Sequence, residues 1–161
     1  MATSGGGRYR TAPGIAALVA LILVLAFGNP SYARFADQQN GRTVGGYFLQ
    51  QLAWPRWTFS SSDSVRTLLA NDLKALLLVI LAAVFASLLV SSQLARERAH
   101  VSQFFAGWGS YIFAGAFAGL IAAWLQVHAS LFGALMWASG GATYGLFVGW
   151  IMGLALFGAR R

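Results

Sequence analysis

Cysteine is absent from the 161-residue chain. That excludes a disulfide framework, a thiolate nucleophile and a Cys-ligated zinc or iron–sulfur centre. Charge is also scarce. Only 9% of residues are Asp, Glu, Lys or Arg, against about 25% in an ordinary soluble domain. Lys74 is the only lysine; arginine supplies the remaining basic residues. The net charge of +7 raises the question of nucleic acid. The basic residues stand in ones and twos beside hydrophobic segments rather than clustered on one face, so nucleic acid is excluded as a partner.

Catalytic motifs are missing too. The chain has no Gly-x-Ser-x-Gly elbow, no phosphate-binding Gly-Lys-Ser/Thr loop and no His-Glu-x-x-His. Its two histidines, His100 and His128, are expected on opposite sides of a membrane and cannot share a metal within one subunit. Asp37, Asp63 and Asp72 match no acid/base or Ca²⁺ spacing. No cofactor and no metal are expected, and the chain reads as non-enzymatic.

What is abundant is apolar sequence, at 58%. The most informative run is Ala134 to Gly158, which is uncharged and carries Gly141, Gly145, Gly149 and Gly153 at steps of four. In a soluble helix each Gly costs about 1 kcal/mol relative to Ala. In lipid, helices associate by close backbone approach, and small-xxx-small stripes permit it. The expected fold class is therefore an all-α membrane protein: a four-transmembrane-helix bundle with a glycine-zipper hairpin of its third and fourth helices.

The expected organisation is a disordered cytoplasmic tail, 1–13, then a transmembrane domain, 14–161. Its helices are expected at about 14–28, 65–93, 104–126 and 134–158. The first segment is short for a crossing, which takes about 17–25 residues. It also reads as a secretory signal with a small-x-small site at Ser31-Tyr32-Ala33; an uncleaved helix is the preferred reading. An extracytoplasmic loop, 29–64, opens on the turn signal Asn29-Pro30. It holds a short helix, Gly45 to Trp54, expected to lie on the outer surface with Trp54 and Trp57 as anchors. Ala83, Ser87 and Ser91 form a weaker small-residue stripe.

Arg8, Arg10, Arg96, Arg98, Arg160 and Arg161 fall on one side if the chain crosses four times. The positive-inside bias makes that side the cytoplasm, holding both termini. A bacterial inner (plasma) membrane is the expected location.

A hairpin reflected about Ser130 pairs Gly115 with Gly145 and Gly119 with Gly141. These four residues are the expected helix-packing set. Gly149 and Gly153 lie beyond the mirrored patch. With Trp54 and Trp57 they are the candidates for binding a partner. The central parts of the last three helices carry no ionisable residue, and proton- or ion-coupled carriers usually need one. Ser110, Tyr111, Ser139, Thr143 and Tyr144 are the polar groups at depth, expected to bond to carbonyls one turn back or to neighbouring helices. The expected function is an accessory or assembly subunit of a larger inner-membrane complex. Its partners are the lipid bilayer and other membrane subunits or copies of itself. Two alternatives stand beside it: a small homo-oligomeric channel or transporter, and an envelope enzyme using the outer loop.

Overall fold

The computed structural model describes residues 11–57, 65–93, 100–125 and 130–158. The arginines at 8, 10, 96, 98, 160 and 161, with Asp63, Gln126 and His128, lie outside them, as do the side chains of Ser91 and His100. Among the described residues the chain is helical, with no strand: α1 (Thr11–Phe27), α2 (Pro30–Asp37), α3 (Val44–Leu52), α4 (Val65–Gln93), α5 (His100–Ala123) and α6 (Leu131–Gly158).

Three segments are long and apolar enough to cross a membrane: Leu68–Leu89, Val101–Ala123 and Leu131–Gly158. The protein is an integral membrane protein on that basis. The first apolar helix passes the same test only together with α2, as a pair bent by 57°.

Asn29 makes that bend. Its side-chain amide donates to the carbonyls of Leu25 and Ala26 at 3.2 and 2.8 Å, closing the end of α1. Its Oδ1 accepts from Tyr32 N at 2.9 Å, capping α2, while Pro30 opens that helix. A proline in the first turn sacrifices no helical hydrogen bond. The sequence Asn29-Pro30 thus starts a second helix inside the segment expected to be loop 29–64. Thr43 caps α3 in the same way, accepting from Gly46 N at 3.1 Å.

Each long helix packs on two other long helices, and α6 also carries α3. α5 and α6 share the most extensive contact, α4 packs on α5, and α1 lies against α4 and α6. Small residues make the interior. Ala75, Ala82 and Ala86 face inward from α4, together with Leu78. This is a different stripe from Ala83 and Ser87, which are only half-buried. Ser87 spends its hydroxyl on the Val84 carbonyl.

The α5–α6 pairing runs one helical turn away from the reflection about Ser130. A Cβ on Gly115 would strike the Gly141 carbonyl, and one on Gly119 would strike the Trp137 carbonyl. Gly145 faces Ile112 Cα at 2.6 Å from its would-be Cβ. Further along, Gly149 meets Trp108 Cδ1 at 2.7 Å and Gly153 meets the Phe104 carbonyl at 2.7 Å. The physical reason is where the two helices meet: α5 ends at Ala123 and α6 begins at Leu131, so their connection is centred before Ser130. Gly149 and Gly153 are buried in the seam. They are not a spare surface for a partner.

The hydroxyls at depth are spent locally. Ser110 donates to Gly107 O at 2.7 Å, Ser139 to Met136 O at 2.9 Å and Thr143 to Ser139 O at 2.8 Å. Tyr111 and Tyr144, both fully buried, share one hydrogen bond at 3.2 Å. Gln103, also buried, donates across the seam to Leu156 O.

Candidate functional site: a lysine cleft between α3, α4 and α6

The two tryptophans expected as free anchors are tied to the protein. Trp57 donates its backbone N–H to Gly28 O at 3.0 Å and its indole N–H to Val24 O at 3.4 Å. Gly28 is required there, since a Cβ would lie 2.5 Å from Pro55 O. Trp54 stacks on Tyr144, with ring centroids 5.6 Å apart and planes 22° apart. Nor does α3 lie flat across the helix ends. Its Tyr47 and Phe48 rings pack edge-on against Phe147 of α6. Phe147 is ten residues beyond Trp137, about 15 Å along the axis. The apolar face of α3 needs cover, and the flank of α6 supplies it.

This arrangement encloses Lys74. The residue is 5% exposed, on a helix that is otherwise uncharged from Leu73 onward. Its Nζ lies 4.9 Å from the centroid of the Trp54 ring and 5.0 Å from that of Trp137. It donates one hydrogen bond, to Asn71 Oδ1 at 3.3 Å. Among the described residues no carboxylate lies within ion-pair distance of it. Asp72 is two positions away, which is about 200° around an α-helix.

A desolvated cation over a tryptophan face gains about 2 kcal/mol or more. Removing an ammonium from water costs several kcal/mol. The two indoles therefore offset part of the cost of burying an ammonium.

A cavity of about 490 Å³ opens beside the ammonium. Gln50, Gln51 and Tyr47 of α3 line one side, and Met136 and Gly140 of α6 the other. Arg56 also faces it. Arg56 forms a two-pronged pair with Asp37, at 3.0 and 3.3 Å. Both partners are well exposed, so the pair contributes little to stability. Asp37 balances Arg56, and among the described residues no carboxylate does the same for Lys74. Gln51 donates to the Tyr47 hydroxyl and Gln50 to Gln39 O, which fixes both amides along the rim.

Chemically, the cleft presents a positive charge, spare N–H donors and aromatic walls. It offers no nucleophile–base pair, and among the described residues no set of three or more His, Asp or Glu side chains is placed to hold a metal. A second cavity, about 640 Å³, lies between α4 and α5 and is walled by Leu89, Val101, Phe105 and Ala106. It is mainly apolar.

The expectations drawn from the sequence give Lys74 no role. The signal was there: a single lysine in an apolar helix of a membrane protein, where a buried charge marks a functional position by default. Its companions Arg56, Gln50 and Trp137 carry no local signal, because only the packing of α3 and α6 brings them together.

The fold and this cleft define the class: an all-helical integral membrane protein with a cationic, tryptophan-walled recess near one end of its apolar helices. No family model, curated protein or solved structure matches the chain.

Proposed function

We propose that this chain is a non-enzymatic accessory or assembly subunit of a larger complex in a bacterial plasma membrane. In this reading it crosses four times, with α1 as the first crossing and both termini in the cytoplasm. The α5–α6 hairpin acts as its glycine zipper, a rigid core on which the rest is mounted.

The observation that supports this best is the fate of the polar groups at depth. Tyr111 and Tyr144 bond to each other, and Ser110, Ser139 and Thr143 bond to carbonyls of their own helices. A solute path needs polar groups facing an opening, and these face each other or their own backbone. A scaffolding protein needs only stable faces. Partner contact falls on the outward apolar faces rather than on Gly149 and Gly153, which a partner reaches only by opening the hairpin.

Affinity isolation of the tagged chain from native membranes, followed by mass spectrometry and native sizing, tests the reading. Expected is a defined set of different subunits in fixed stoichiometry. A ring of identical chains that conducts ions or exchanges solutes in liposomes overturns it in favour of the channel alternative.

A further inference from the structure

The cleft around Lys74 is built for an anion, and its depth says which. Lys74 precedes the end of α4 at Gln93 by nineteen residues, about 28 Å of helix. Trp137 precedes the end of α6 at Gly158 by twenty-one, about 32 Å. Lys74 and Trp137 each lie six residues inside the spans that begin at Leu68 and Leu131, about 9 Å from that end. Trp54 stacks on Tyr144, farther along α6. The recess thus lies a short way below one face of the apolar layer, within reach of a lipid phosphate drawn in from that face by long basic side chains.

The recess carries two basic side chains, Lys74 and Arg56, and among the described residues only Arg56 has a carboxylate opposite it. Lys74 has three N–H donors and uses one, on Asn71. Arg56 has five, of which the Asp37 pair takes two. An anion between them accepts hydrogen bonds from both and relieves the repulsion of two like charges sharing one recess. The Met136–Gly140 wall belongs to α6, and Met136 is one of its outward-facing apolar residues. That wall gives an acyl chain a surface to follow away from the charged end.

We propose that the cleft between α3, α4 and α6 holds the phosphate of an anionic phospholipid, with Lys74 as its buried counter-charge and Arg56 as the outer clamp. A headgroup with its own ammonium is disfavoured, because it brings a third cation to a recess that already has two. The inference stands whether or not the chain joins a larger complex.

Native mass spectrometry of the full-length purified protein, titrated with phosphatidylglycerol or phosphatidylethanolamine, tests it. Expected is one phosphatidylglycerol retained per chain, held at least about tenfold more tightly than phosphatidylethanolamine, as loss of a charge-assisted contact implies. Lys74→Gln should abolish that preference, and Arg56→Gln should weaken it while leaving the lysine box in place. Thermal unfolding in detergent checks that Lys74→Gln is folded; if it is not, Arg56→Gln decides, since Arg56 is well exposed.

Equal retention of the two lipids overturns the proposal, and so does unchanged retention in folded Lys74→Gln (or in Arg56→Gln when that variant decides). Displacement of the lipid by millimolar inorganic phosphate or glycerol 3-phosphate assigns the site to a soluble phosphate and overturns the lipid assignment.

Discussion

Two faces of α6 show two ways of joining helices in an apolar setting. Along the α5 seam the backbones themselves touch, at Gly115 with Gly141 and Gly119 with Trp137. The contact is close and tolerates almost no added atom at those positions, and hydrogen bonds from Gln103, Trp108 and Tyr111 cross it to Leu156 O, Leu146 O and the Tyr144 hydroxyl. On the other face α6 meets α3 and α4 through side chains: Trp54 on Tyr144, Trp137 and Trp54 around Lys74, Phe147 under Tyr47 and Phe48. That face leaves a cavity and holds a charge. Gly141 belongs to both, since a Cβ there would strike the Gly115 carbonyl and also lie 2.8 Å from Trp54 Cζ2. The lesson is that glycine spacing shows where backbones can approach. It does not show where the protein keeps room for a ligand.

The adjacent residues Gly140 and Gly141 separate the two faces most sharply. Gly141→Ala pushes on the α5 backbone, which cannot yield without moving the helix. It is expected to destabilise the protein by about 1–3 kcal/mol, the usual range for overpacking. Gly140→Ala meets only the Trp54 side chain, at 3.0 Å from Nε1. Its helix-propensity gain of up to about 1 kcal/mol should offset the strain, leaving stability nearly unchanged while Trp54 fluorescence shifts. Unfolding in detergent micelles, followed by circular dichroism and by fluorescence, measures both. Equal losses from the two variants would erase the distinction between the faces.

A comparable effect is expected where the faces meet. Tyr144→Phe leaves the Tyr111 hydroxyl buried without a partner, costing about 1–3 kcal/mol. The double variant Tyr111→Phe, Tyr144→Phe removes both hydroxyls and should recover most of that loss. A double-mutant cycle in the same unfolding assay gives the coupling. A coupling near zero would mean that the pair does not hold the two faces together.

The smallest effect belongs to the rim of the cleft. Asp37→Asn breaks the exposed pair with Arg56 and should cost under about 1 kcal/mol, fading as salt rises. The same change removes the negative charge beside Arg56. Lipid retention should therefore hold or increase while stability slips, the opposite pattern to Arg56→Gln.

The sequence determined the class of the protein through quantities that need no third dimension. Apolar run lengths place helices over 65–93 and 134–158, and the observed α4 and α6 follow them closely. The third helix was legible in kind but not in extent. Its end at Ala123 and the start of α6 at Leu131 centre the hairpin before Ser130, so it slides one turn from the position that symmetry about Ser130 suggests. α2 was missed because Asn29-Pro30 is equally a turn signal and a capped helix start. The choice between them depends on whether a following face, here Ala33 and Ala36, finds cover. What only the tertiary structure decided is the cleft. Lys74 alone is a charge near a helix end. It becomes a buried cation in a cavity because α3 leans on α6 and brings Trp54 and Arg56 to it across long stretches of chain. Local periodicity records which side of a helix is apolar. It carries no record of which distant side chains will cover that side, and sites are made by those encounters.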